Sequence, residues 1–562
     1  MNPFLDGSFH IPWSELNPDR VVPDMTLALE RAESQMDAIR TLPPEEVSFK
    51  SVPLRFCQAL EDLFEAWNVV SHLDQVRNSE ELREAYNEML PMVTSFGAKV
   101  LLDQELWKQV KSYSLSEEAQ GLEGPEKRLL EELVADFTEA GADLPEDKRA
   151  RLEKLSSELA LATQKFSENV LDSTNAWQKL IEDESLLAGL PESARIAARE
   201  AARQKEKEGW LFTLHAPSIM PLMKYLDDDS IRREVWEAST KVAWQGERDN
   251  TDLIRRILEL RQEKAEVLGK RDYADVVLER RMAGSGARAD EFVSELKDKT
   301  AKAFGLENEA LAAFKAEKTG SSPEALEPWE AGYWGEKQMQ EKFDFDNEAM
   351  RPYLPIDSVL DGMYSLATKI FGLRIEQRST SFEEKPATRL EGDEREPIEV
   401  WHPEVKFYEV FDSGDDRHLG SFYADWHPRS DKRSGAWMNY FKMGVPGEDG
   451  APRGPHLGLM CGNMTAPVEG KPALLTHDEA NTVFHEFGHL LHHLCAEVKY
   501  KKLSMGNVPW DYVELPSQIM ENWVGEEEAL ELFAHHYETG DVLPKELLQK
   551  IKKSKNFRSG TN

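Results

Sequence analysis

The stretch Thr476 to Glu497, THDEANTVFHEFGHLLHHLCAE, constrains this chain most, because it dictates a helix and the use of one of its faces. Thr476 followed three residues later by Glu479 is a capping box, which satisfies the first free N–H groups of a helix. Val483, Phe484, Phe487, Leu490, Leu491 and Leu494 recur at helical spacing and make an apolar face to bury. Within the stretch, His485-Glu486-Phe487-Gly488-His489 is an H-E-x-x-H pattern. Two histidines four apart lie one turn apart on one face and can reach a single metal ion. Glu486 stands beside them, placed to act as a base on a water polarised by that ion.

A hydrolytic zinc site needs a third protein ligand and an open fourth position. Downstream, Trp510-Asp511-Tyr512-Val513-Glu514-Leu515-Pro516-Ser517 leads into helical text that runs to Trp523, with Asp511 as its expected cap. Glu514, 25 residues after His489, is the carboxylate that spacing favours. Glu521 lies seven residues further on the same face, so spacing leaves both open. Ser517, Glu521 and Asp478 are candidates for orienting the ligands. His492 is a candidate for substrate contact, weighed against a purely structural histidine. Gly488 costs about 1 kcal/mol relative to Ala inside a helix, which a close approach by substrate or sheet would justify, with neutral tolerance as the alternative.

The chain has 562 residues, more than one simple core takes, so two or more lobes are expected. Its 104 acidic against 68 basic residues give a net charge of −36, which argues against nucleic acid and anionic membrane as partners. Cys57, Cys461 and Cys495 are too few for a disulfide framework, and Cys495 reads as a buried spectator. The N-terminus has no signal-peptide pattern and no stretch is apolar for long enough to span a bilayer, so a soluble cytoplasmic protein is expected.

Residues 1–24 read as an extended lead-in, and residues 25–318 as overwhelmingly helical. Helices are predicted over 54–73, 147–181, 194–207 and 252–268, with a break at Gly320-Ser321-Ser322-Pro323 and further helices near 337–343 and 358–371. Then the pattern changes. Residues 405–411 and 419–425 predict a hairpin, 444–456 a Gly/Pro-rich loop, and 457–461 a third short strand. The predicted class is mainly α, with a small sheet just before the metal helix. A sheet edge there could hold an extended peptide by main-chain hydrogen bonds.

HEFGHLLHH and DYVELPSQIMENW together resemble the thimet-oligopeptidase-like family of zinc metallopeptidases, as do VSHLDQVRNSEELREAY (70–86), WHPEVKFYEVFD (401–412), GSFYADW (420–426) and KPALLTHDEANTVFHEFGH (471–489). The resemblance implies one zinc held by His485, His489 and Glu514, with Glu486 as general base. It implies a two-lobed helical body with a deep channel that admits oligopeptides and excludes folded proteins, and a monomer. On this basis 1–205 is read as an N-terminal helical region and 206–562 as the catalytic region. The family carries a Gly- and Tyr-rich segment beyond its counterpart of Phe557-Arg558-Ser559-Gly560, and the sequence to Asn562 does not contain it. A working zinc endopeptidase is therefore expected first, and a zinc- and peptide-binding form with little turnover second. A helical scaffold with an accidental motif ranks last.

Overall fold

The computed structural model describes residues 2–561 apart from 345, 384, 448–452, 469 and 555, so the tip of the predicted Gly/Pro-rich loop lies outside the described residues. Helices dominate, as the helix-former-rich text predicts. They include Glu146–Ala176, Glu192–Gln204, Thr251–Val267 and Gly286–Thr319, the last closed by Gly320 in the left-handed conformation. No described helix is long and apolar enough to cross a membrane.

Three departures have local causes. The lead-in is not extended: a helix spans Pro18–Arg40, with Pro18 at its first position, where the missing N–H would be free in any residue. The segment from Leu54 to Leu73 is not one helix. It divides into a π-turn, Lys50–Leu54, which contains Pro53, then Arg55–Ala59 and Glu61–Val76. The helical region also contains a two-stranded antiparallel ribbon, β1 (Gln178–Ile181) and β2 (Trp210–Thr213). Four-residue strands are too short to show a period, which is why the long helical pattern read through β1.

The main sheet has β3 (Leu373–Arg378), β6 (Lys406–Asp412), β7 (His418–Asp425), β8 (Trp437–Lys442) and β9 (His456–Cys461), in the order β3-β6-β7-β9-β8. A minor pair, β4 (Thr380–Ser381) and β5 (Ile398–Glu399), stands apart. The predicted hairpin is β6–β7, antiparallel, with Phe407 opposite Tyr423 and Tyr408 opposite Phe422. β7 and β9 run parallel, and β8 pairs antiparallel on the outside of β9 as an edge strand. Side chains alternate between faces, and here both faces are buried. Tyr408, Phe422, Ala424 and Met460 pack with Val483, Phe487 and Leu490 of the motif helix. Phe407, Tyr423, Leu457 and Leu459 pack with Trp13, Met25, Val70 and Met89 of the N-terminal helices. The sheet is therefore a partition, with the chemistry on one side and the N-terminal region on the other.

The end of the sheet next to β8 is fastened by a buried ion cluster. Lys432 Nζ donates to Asp425 Oδ1 and the Asp425 carbonyl at 2.8 Å, and to the Gly462 carbonyl at 2.6 Å. Arg429 donates to both Asp425 oxygens at 2.7 and 2.8 Å, and Trp401 Nε1 to Oδ2 at 2.8 Å. Burial alone would raise the Asp425 pKa, but the two cations overcome it and hold the carboxyl well below the usual range. Removing one partner from such a cluster strands buried polar groups. Lys432→Met should destabilise the protein by about 3–5 kcal/mol, read as a lower urea midpoint with unchanged slope.

Candidate functional site

The motif helix spans His477–Leu494. Its capping box forms on both sides: Glu479 N–H donates to Thr476 Oγ1 at 3.0 Å, and Thr476 N–H to Glu479 Oε2 at 2.7 Å. The other Glu479 oxygen accepts from the Thr465 backbone and hydroxyl at 2.6 and 2.8 Å, which ties the helix start to the segment leaving β9. Ala480, Val483, Phe484, Phe487, Leu490, Leu491 and Leu494 are buried, the face the sequence assigns to the core.

A second helix, Glu514–Glu521, crosses close by. Among the described residues, His485, His489 and Glu514 form the one group of three whose donor atoms lie within 4.8 Å of one another. Glu514 Oε2 stands 3.2 Å from His485 Nε2 and 3.2 Å from His489 Nε2. Donors bonded at about 2.0–2.1 Å to one tetrahedral ion stand roughly 3.3–3.4 Å apart, so this set has the spacing of a His₂Glu zinc site. Glu521 takes a different place. Its Oε1 lies 2.7 Å from His485 Nδ1, on the far side of the ring, where it fixes the tautomer that leaves Nε2 free. Ser517, fully buried, donates to Glu514 Oε2 and to the Glu514 carbonyl, both at 2.9 Å, and aims the carboxylate.

The close crossing explains Gly488. A Cβ there would lie 2.6 Å from Ser517 Cα and 2.7 Å from the Pro516 carbonyl oxygen. The neighbour that needs the glycine is thus the second helix, neither sheet nor substrate. Asp511 does not cap that helix, whose N-cap is Val513; its carboxylate accepts instead from the Met282 N–H at 2.6 Å. Pro516 sits in the first turn, where the helix tolerates it. Asp478 is exposed one turn and more before the ligands and orients none of them. Cys495 is exposed at the end of the motif helix, not buried. His492 is half-buried beside Tyr512, with ring centroids 6.2 Å apart.

Glu486 points toward the sheet edge. Burial pushes its pKa up to about 7, Glu514 adds to the rise, and His485 and the Met438 N–H of β8 oppose it. The sequence reading missed β8, although Trp437, Tyr440 and Phe441 carried an aromatic strand signal.

Seven residues after Glu486 on the same side of the helix, His493 stacks on Tyr440 of β8 and abuts His456, and burial holds the pKa of His493 down to about 3 and that of His456 down to about 4. The unfolded chain protonates such groups near 6.5 and the folded chain does not. Stability is therefore full above pH 6.5 and falls toward pH 4 and below, by up to about 1.4 kcal/mol per pH unit for each histidine. Urea midpoints measured at pH 7 and pH 5 should show the loss, and His493→Leu should flatten it.

The Peptidase family M3 profile matches residues 222–562, and the profile for the neurolysin/thimet oligopeptidase N-terminal domain matches residues 25–149. Oligopeptidase A of Salmonella typhimurium is 36% identical over 564 residues, 99% of this chain and 80% of that protein. Dipeptidyl carboxypeptidase of Escherichia coli is 29% identical over 568 residues, 100% of this chain and 80% of that protein. A solved structure of PZ peptidase A with an inhibitor shares the fold, with a TM-score of 0.51 at 13% identity over 96% of this chain and 73% of that one. With a family profile over more than half its length and a relative at this identity along nearly all of it, the chain belongs to peptidase family M3 and is a hydrolase of the metallo-oligopeptidase class.

Proposed function

We propose that the protein is a zinc-dependent endopeptidase of short peptides, with His485, His489 and Glu514 holding one zinc ion and Glu486 as general base. The observation that carries this reading is the convergence of three donor atoms beside the buried carboxylate of Glu486. Zinc bound there would supply a Lewis acid and make a water acidic enough to lose its proton near neutral pH. Glu486 takes that proton as the peptide carbonyl is attacked and returns it to the leaving amine. Glu521 and Ser517 keep two of the donors in place through the cycle. The outer edge of β8, which pairs with no strand among the described residues, offers backbone groups that can hold the peptide extended beside Glu486.

We place the boundary between the N-terminal helical region and the catalytic region at 205/206, between the two profile matches. We also read the protein as a cytoplasmic monomer acting on oligopeptides; its net charge of −36 supports the part of that reading which excludes nucleic acid and anionic membrane as partners.

The test is cleavage of an internally quenched peptide with a chelator, and then with zinc restored. Chelator-sensitive cleavage rescued by zinc is expected. One zinc bound per chain without cleavage would favour the binding-only form. The two acidic residues separate in the same assay. Glu514→Ala should abolish stoichiometric zinc binding, whereas Glu521→Gln should weaken it about 10–100-fold. The reverse order would make Glu521 the ligand.

A further inference from the structure

A cavity of about 1010 Å³ lies between the N-terminal helices Glu61–Val76, Glu80–Leu102, Gly124–Ala140 and Glu146–Ala176 and the later helix Thr251–Val267. Small-molecule sites take roughly 300–1,000 Å³, so the space is ample for one. None of its lining residues comes from the motif helix, the second helix or β8. Its walls are mainly apolar, with Phe64, Trp67, Leu101, Val134 and Leu268 among them. Phe64, large as it is, stays 41% exposed there.

One wall residue breaks the helical pattern. Ile257, Leu260, Lys264 and Leu268 follow one another at the three- and four-residue spacing of a single helix face. Ile257 and Leu260 are buried with Leu102, Leu152 and Leu155. A lysine thus stands in the core-facing stripe, at a position where an apolar residue is the rule.

The other charges on the wall are matched. Asp136 pairs with Lys502 at 2.6 Å, Glu139 with Arg280 at 3.3 Å and Glu279 with Lys270 at 2.5 Å, while Glu131 lies 4.0 Å from Arg128. The Thr138 and Ser156 hydroxyls donate to carbonyls of their own helices at 2.8 and 3.0 Å. Lys264 has no ion pair or hydrogen bond among the described residues. Burial lowers its pKa, and no carboxylate is near enough to oppose that. A half-buried ammonium beside an apolar cavity gains from a ligand that brings one anionic group and covers the wall. A single unpaired cation matches a single negative charge, and the four wall carboxylates disfavour a polyanion such as a nucleotide.

We propose that this cavity binds a fatty acid of medium chain length, with its carboxylate on Lys264 Nζ and its chain along the apolar wall of Phe64, Trp67 and Leu101. The test is calorimetric titration of the zinc-loaded protein with decanoate and with 1-decanol. One decanoate per chain is expected, with 1-decanol bound at least about tenfold more weakly, the scale of one charge-assisted hydrogen bond. Lys264→Met keeps the length of the stem and should bring decanoate to within about threefold of decanol. Lys264→Arg should keep the preference. Phe64→Asp, at a half-open position on the wall, should weaken decanoate at least about tenfold and tests the site even if Lys264→Met fails to fold. Removing zinc with a chelator should leave decanoate binding unchanged. Equal binding of acid and alcohol by the unsubstituted protein, or an unchanged decanoate affinity in folded Lys264→Met or in Phe64→Asp, overturns the proposal. So does loss of decanoate together with zinc, which would seat the carboxylate on the metal.

Discussion

Glu486→Gln is expected to keep one zinc per chain and to lose about 10²–10⁴ in kcat on a quenched peptide. Gln has the size of Glu and preserves the packing of a residue that is only 6% exposed. It cannot accept a proton. Without a metal, burial pushes the pKa of this carboxylate up to about 7, which makes it a stronger base than an exposed glutamate. A dication among the neighbouring ligands would draw that value down and favour the proton-accepting form. Steady-state kinetics and metal analysis on the same sample check the prediction. Full activity would sink the proposed mechanism. Loss of zinc together with activity would show that Glu486 supports the ligands instead of the proton transfer.

The second large effect is expected at a residue that touches no substrate. Gly488→Ala should weaken zinc binding about 10–100-fold while leaving the helical circular dichroism unchanged. The new methyl group would meet backbone atoms of Ser517 and Pro516 at 2.6 and 2.7 Å, and no side-chain rotation can relieve that. The two helices must part by roughly 0.7 Å to reach ordinary contact, as judged from packing in protein interiors. Ser517, which aims Glu514, sits at the point of contact, so the carboxylate ligand moves with it. Competition against a chromophoric chelator measures the loss. Wild-type zinc affinity in this variant would mean that the second helix adapts and that the crossing does not set the ligand geometry.

The parts of the site carried by one helix were legible in the sequence. The capping box, the apolar face and both histidines are local, and a single helix satisfies them all. The choice between Glu514 and Glu521 was not local. Both lie on the same helix, and what separates them is which side of the His485 ring each reaches, Nε2 or Nδ1. That depends on the crossing at Gly488, a tertiary contact that no spacing reveals. The sheet shows the same division. β6, β7 and β9 carry dense apolar runs because both faces of the sheet are buried, and they were legible. β8 is an edge strand with mostly half-buried side chains and a bulge between Tyr440 and Lys442, so its pattern is weak. β3, at the other edge, escaped for a similar reason, its middle residues being only half-buried.

The two-faced burial of the sheet has a consequence for synthesis on the ribosome. Trp13, Met25, Val70 and Met89 emerge early, but the strands that cover them, Phe407 to Leu459, follow more than 300 residues later. At about 5–20 residues per second the N-terminal helices wait roughly 15–75 s for their partner surface. During that interval their apolar faces are open to other nascent chains, so expression at reduced temperature or with added chaperone capacity should raise the yield of folded protein more than any change confined to the metal site.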